Sequence, residues 1–274
     1  MMSKTKNGNL DLVLRVMDHQ LVGPSGALLG NVDNLVLRED DQALTVVGLL
    51  AGPGGFGPRQ PGLFGEWIVA VWKRLSTDED PRPLMVPMSH VRDIGSAITV
   101  SDYAERALQQ TSGLEQWLRR HVISALPGAK GGGDDRLTGT ISASAAGHHE
   151  LTRPPNTQLL SDLLGGSVVD GSGRSLGTVI ELRARPLEQT GLEVGRLQVM
   201  SLVFGPHRLG GELGYTTVKD QGPWLLARAF RWWHRRDREA QWNDIATVRW
   251  DQRLVTLAPV EGLPHPFAIS DPGN

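Results

Sequence analysis

Two stretches of this chain, "VGPSGALLGNV" at residues 22–32 and "VDGSGRSLGTV" at residues 169–179, are one turn and strand written twice. Val22, Ser25, Gly26, Leu29, Gly30 and Val32 recur as Val169, Ser172, Gly173, Leu176, Gly177 and Val179, at a constant separation of 147 (169 minus 22). Similarity at a fixed spacing decides architecture before any local propensity does. The match runs on with small length changes. "LTVVGLL" (44–50) pairs with "LQVMSLV" (197–203), and Phe56-Gly57-Pro58 with Phe204-Gly205-Pro206. "EWIVAVWKRL" (66–75) answers "PWLLARAFRW" (223–232), Trp67 against Trp224; "VPMSHV" (86–91) answers "AQWNDI" (240–245); and Ile98 falls opposite Leu254.

Each copy reads as β-rich. Gly-Pro-Ser-Gly and Asp-Gly-Ser-Gly between alternating apolar positions are hairpin turn chemistry. Gly30 and Gly177 interrupt a strand pattern, which predicts a bulge or a backbone approach that a Cβ would block. Short strands with turn signals and no βα alternation favour a small barrel or sandwich.

The order of these features resembles the PRC-barrel domain: a turn, an "LGxV" strand, a long second strand ending in a Gly/Pro-rich loop, a "VPW"-like short turn and a closing "ITV" strand. The resemblance covers residues 10–102 and again 161–260. It is similar to the domain in the extrinsic part of the photosynthetic reaction-centre H subunit and at the C-terminus of a bacterial ribosome maturation factor. The tandem form with "FGPHRLGGELGY" and "GPWLL" resembles actinobacterial members. The resemblance implies a small β-barrel without catalytic residues, used as an adaptor, and no particular partner. Met88 departs from the aromatic that the pattern and Trp242 place there, which implies that the two copies do not bind alike.

The division that follows is a first barrel over 10–102, a connecting region over 103–160, a second barrel over 161–260 and a tail over 261–274. Within the connection, Ser112 and Glu115 are spaced as a capping box. Leu114, Trp117, Leu118, His121, Val122 and Ala125 share one face, which predicts a helix over about 112–126. Residues 129–157 have few large apolar side chains and read as a flexible linker, so the barrels are expected to be tethered. The helix could also pair across a homodimer.

The 274 residues carry a net charge of -2 and no cysteine. General attraction to nucleic acid or anionic lipid is not expected from that balance. A disulfide framework and thiolate chemistry are excluded, which fits the cytoplasm. The opening residues hold no continuous apolar stretch of signal-peptide kind, and no apolar run approaches the ~18 residues a membrane span needs.

Chemical motifs are weak. "GPGGFG" (52–57) spells a dinucleotide fingerprint, but Pro58 and Pro61 follow where a helix must open on the pyrophosphate. "HHE" (148–150) supplies zinc-type ligands without a preorganised set. No nucleophile elbow is present. The expectation is a non-enzymatic protein with no cofactor and no metal.

The segment "RAFRWWHRRDREAQW" (228–242) remains. A helix starting at Pro223 puts Arg228, Arg231, Arg235 and Arg238 within an arc of about 80° and Leu225, Leu226, Ala229, Phe230 and Trp233 on the opposite side. The first copy keeps the apolar side (Ile68, Val69, Trp72) without the basic stripe. Arginine forks suit carboxylate and phosphate surfaces. The arginines, with Trp232, are the expected contact with an acidic protein, then RNA or the ribosome, then anionic lipid; ordinary solvated charge stands beside these readings. Trp67, Trp224, Trp242, Gly30 and Gly177 are the expected structural anchors.

Overall fold

The computed structural model describes residues 9–40, 43–52, 55, 57–59, 63–75, 83–109, 151–187, 194–206 and 237–259. The repeated turns fold alike. Gly23 N donates to Ala27 O at 2.9 Å and Asp170 N to Arg174 O at 3.0 Å, with Gly26 and Gly173 at φ +82° and +83°. These are left-handed positions that favour glycine. Each turn joins a short strand, β2 (Gln20–Val22) or β9 (Ser167–Val169), to a long bulged one, β3 (Leu28–Asp40) or β10 (Ser175–Pro186). Gly30 and Gly177 sit at those bulges with φ +101° and +142°. A Cβ on Gly177 would stand 2.2 Å from Gly205 O, so the close approach expected there is real.

The described residues form a mainly β protein whose remaining strands repeat in the same way. In the first half β4 (Ala43–Ala51) pairs β3. Helix α2 (Leu63–Leu75), β5 (Met85–Pro87), β6 (Val91–Ile94), β7 (Ile98–Val100) and helix α3 (102–109) follow. In the second, β11 (Leu197–Gly205) pairs β10, and β12 (Arg238–Gln241), β13 (Ile245–Arg249) and β14 (Leu254–Leu257) follow. Rungs Val32↔Ala51, Leu35↔Leu49, Val36↔Gly48 and Arg38↔Thr45 are matched by Val179↔Phe204, Leu182↔Leu202, Arg183↔Ser201 and Arg185↔Gln198. Both ladders shift register at equivalent places, including Val36/Leu37 and Arg183/Ala184. Parallel pairs Leu21↔Ile98 and Val168↔Val255 also correspond, so Ile98 is equivalent to Val255 rather than to Leu254.

The halves are not merely tethered. All fourteen described strands belong to one sheet, ten of them in the order β13-β14-β9-β10-β11-β4-β3-β2-β7-β6, which reads the same from either end once equivalent strands are exchanged, with the other four pairing beside this path. At its centre β4 meets β11 through Val46↔Leu197 and Thr45↔Gln198. Thr45 and Gln198 are themselves equivalent, 153 apart like Leu44 and Leu197 (197 minus 44). The pairing therefore has the symmetry of a two-fold axis through that rung. The ladder does not close within either half. Instead β5 pairs β4 and, after the one-turn 3-10 helix Met88–His90, β6 pairs β7.

Each half also lends a strand to the other. β1 (Leu10–Asp11) pairs β10, and β8 (Gln158–Leu159) pairs β3. Within the region assigned to 103–160, residues 103–109 are helical, as part of the helix 102–109 beside the first half, and Leu159 pairs with Val36 in the sheet. One contiguous core draws on both halves, from Leu21, Leu35 and Leu49 to Leu182, Leu202 and Phe204. Fully burying such a side chain stabilises the fold by roughly 1.5–3 kcal/mol. Val194, from the longer β10–β11 connection, joins this core and donates its amide to Val91 O at 3.1 Å. The helix expected at 112–126, the part of the expected 129–157 linker that runs to 150, and the tail 261–274 lie outside the described residues; residues 151–157 are not a free linker, since Leu151 is buried in the core and Thr152 bridges to Leu84.

Candidate functional site

Opposite the main core, the sheet carries a second layer of side chains at two equivalent places. In the first half Val36 on β3, Leu50 on β4 and Met85 on β5 are closed over by Leu159 of the exchanged strand β8, all 5 % exposed or less. Gly48 makes room: a Cβ there would stand 2.6 Å from Met85 Cγ.

The matching positions in the second half hold Arg183 on β10, Val203 on β11, Glu239 on β12 and Asp11 of the exchanged strand β1. Arg183 Nε donates to Asp11 Oδ1 at 2.8 Å and Nη1 to Glu239 Oε2 at 2.6 Å. Ser201, standing where the first half has Gly48, donates its hydroxyl to Glu239 Oε1. The three charged side chains are 12–15 % exposed, so this is a largely desolvated ion triad rather than a surface pair.

Glu181 adjoins it. Its carboxylate accepts amides from Val13 (2.7 Å) and Leu14 (3.0 Å), at the start of helix α1 (Leu12–Arg15), and from Leu182 (2.9 Å). Burial pushes this carboxyl from 4.5 up to about 8, with the negative charge of Asp11 acting in the same direction and the three amides opposing. The equivalent residue Asn34 does the same task with an amide: Nδ2 donates to Ser161 Oγ at 2.8 Å, and Oδ1 accepts from Leu35 N at 3.0 Å. Both residues grip the segment that follows the strand borrowed from the other half.

The hairpin tips diverge too. Asp170 Oδ1 accepts from Ser172 N, Ser172 Oγ and Arg174 N at 2.9, 2.6 and 3.0 Å, a self-contained turn. The Ser172 hydroxyl bond is the main cause holding the Asp170 carboxyl below its ordinary value. In the first half Gly23 stands at that position, and Glu105 of α3 reaches in to bind Ser25 N and Oγ. A Cβ on Gly23 would stand 2.3 Å from Glu105 Cδ.

Placement of the remaining sequence-derived residues is mixed. Trp242 is 7 % exposed and packs in the core, as does its counterpart Met88. Trp67 is not an anchor of this kind: it stands on α2 at 54 % exposure, one turn from Leu63 at 83 %. At helical spacing these two share a face with Ala70 and Arg74, both exposed, while Val69 packs toward Gly57. Arg238 does not continue a basic helix. It opens β12, paired with Phe204, because the preceding Asp237 is already outside helix and buried. Arg228, Arg231, Arg235, Trp224 and Trp232 lie outside the described residues, as does "HHE".

Among the described residues no group of three or more His, Asp or Glu side chains is placed to hold a metal ion. No described helix is long and apolar enough to cross a membrane. A shallow, open depression lined by Gln158, Asp162, Arg249, Trp250 and Asp251 lies where Trp250 Nε1 donates to Glu39 Oε2 at 3.0 Å, a further contact between the halves. No protein-family model matches the chain, and no curated protein matches it significantly.

Proposed function

We propose that the chain is a non-enzymatic adaptor built from two PRC-like barrels, each binding surface facing a protein partner in the cytoplasm. The barrel reading is supported by the return of β5 to β4 while β6, one 3-10 turn later, pairs β7 at the other end of the half. The observation that carries the adaptor reading is the exposed face of α2. Leu63 and Trp67 form an apolar step at its start, and the exposed Lys73 and Arg74 form a basic end. Tryptophan and arginine on one helix face are the composition of an interface anchor, and neighbouring apolar side chains with large exposed area mark a contact surface. The partner that fits is a protein groove with an apolar floor and an acidic rim. The Asp11–Arg183–Glu239 and Asn34–Ser161 clusters, by contrast, hold the two halves together.

The test is a low-salt affinity purification with quantitative mass spectrometry on the parent and on Leu63→Ser/Trp67→Ala. The expected result is one stoichiometric protein retained by the parent and lost from the variant, at unchanged thermal stability. Equal retention would overturn the reading. A high 260/280 nm absorbance ratio with ribosomal proteins in both eluates would overturn it in favour of RNA.

A further inference from the structure

Two homologous halves that each lend a strand to the other face a selection problem. Strand β1 sits on β10 with Leu10↔Ala184 and Asp11↔Arg183; β8 sits on β3 with Gln158↔Leu37 and Leu159↔Val36. Ala184 and Leu37 are equivalent, as are Arg183 and Val36, at the separation of 147 set by the repeat. The two slots therefore have the same backbone, and backbone hydrogen bonds alone do not say which strand enters which. Both strands are two residues long, too short for alternation to fix a partner.

Side chains do say so. One slot presents Arg183, with Glu239 and Ser201 behind it; the other presents Val36, Leu50 and Met85. From these juxtapositions we infer that the Asp11–Arg183–Glu239 triad is a pairing key: it admits the acidic strand β1 and rejects the apolar β8, while the apolar slot does the reverse. In the slot on β3, Asp11 would lie against three aliphatic side chains with no cation. In the slot on β10, Leu159 would leave Arg183 with one carboxylate instead of two. A buried charge without its partner is strongly disfavoured, so discrimination comes from the wrong pairing as much as from the right one. The surface between the halves thus fits one partner, a copy of the opposite half. It excludes like-with-like assembly within one chain and between two copies of it. This inference concerns assembly and stands apart from the adaptor reading.

The absence of cysteine in the sequence allows a direct test by disulfide trapping in the full chain. Leu10→Cys/Ala184→Cys reports the native pairing. Leu10→Cys/Leu37→Cys reports β1 on the wrong strand, within a chain or between chains. In the parental background the first pair is expected to link after refolding and the second to stay reduced. Asp11→Leu makes the two strands alike at the deciding position, and the expected result is a rise of about ten-fold in the linked fraction of the second pair. Asp11→Asn, which keeps the side-chain shape, is read with the same two pairs so that a folding failure of Asp11→Leu does not decide the matter. If the second pair stays unlinked in whichever folded variant still links the first, the triad is not a pairing key and the inference is overturned.

Discussion

The two side-chain layers on the far face of the sheet occupy equivalent backbone and are made of opposite materials. One holds Val36, Leu50, Met85 and Leu159; the other Asp11, Arg183, Val203 and Glu239. The apolar layer stabilises by removing surface from water and asks only for volume, which Gly48 supplies by leaving space for Met85. The ionic layer gains little net energy, because desolvating three charges offsets most of their attraction. What it adds is direction: its groups accept one arrangement of partners. A repeated fold can thus rest its stability on one copy of a feature and its specificity on the other.

The largest effect that breaks this comparison is expected from Arg183→Met. It leaves Asp11 and Glu239 largely buried without a cation and should cost about 3–5 kcal/mol in chemical denaturation. Leu159→Ala removes volume from the apolar layer only and should cost about 2–4 kcal/mol, with no change in the salt dependence of unfolding. If the two substitutions proved equally sensitive to salt, the contrast between the layers would be wrong.

A third prediction concerns pH. Folded chain holds the Glu181 proton up to about pH 8, whereas a carboxyl in unfolded chain releases it near 4.5. Folding therefore takes up a proton in that window, and the stabilising share of Glu181 is complete below it and lost as pH rises through 8. Glu181→Gln abolishes this titration, although its single carbonyl keeps fewer of the three amide bonds. It should be less stable than the parent at pH 5, and the gap should narrow steadily to pH 9. A constant gap across that range in thermal melts would show that Glu181 does not titrate there. The smallest effect is expected at the hairpin tips. Asp170→Ala should lower the melting temperature least of the four, since its three hydrogen bonds are exposed to water.

Much of the fold was legible because its signals are local. The turn glycines, the bulge glycines and the apolar alternation of the long strands recur at fixed spacing, and both halves fold accordingly. The last strand was read one residue out of register. The turn Trp250–Arg253 between β13 and β14 is longer than its counterpart, and Leu254 and Val255 are equally apolar. Strand exchange left no pattern to read. Two-residue strands have no period, and the four members of each slot are far apart in sequence. A signal did exist for Asn34 and Glu181: both are polar residues at matching points of the repeat, each followed by a leucine. Arg238 was read into a helix because arginines at helical spacing continue from 228 without a Gly or Pro to stop them; pairing with Phe204, a tertiary effect, overrides that periodicity. Trp67 was read as a structural anchor from its match to Trp224, and it stands 54 % exposed on α2.

The rung Thr45↔Gln198 has a bearing on heredity. In a dimer of identical chains the residue on the symmetry axis meets itself, and every codon change is expressed on both sides of the interface at once. Here the axis joins a threonine to a glutamine, because each side is encoded separately. An aspartate or an arginine at a place corresponding to position 11 or 183 would appear twice in the identical-chain dimer, so both slots would carry the same charge. Encoding both copies in one reading frame is what permits one slot to become ionic while its twin stays greasy, and it lets either flank be retuned without disturbing the other.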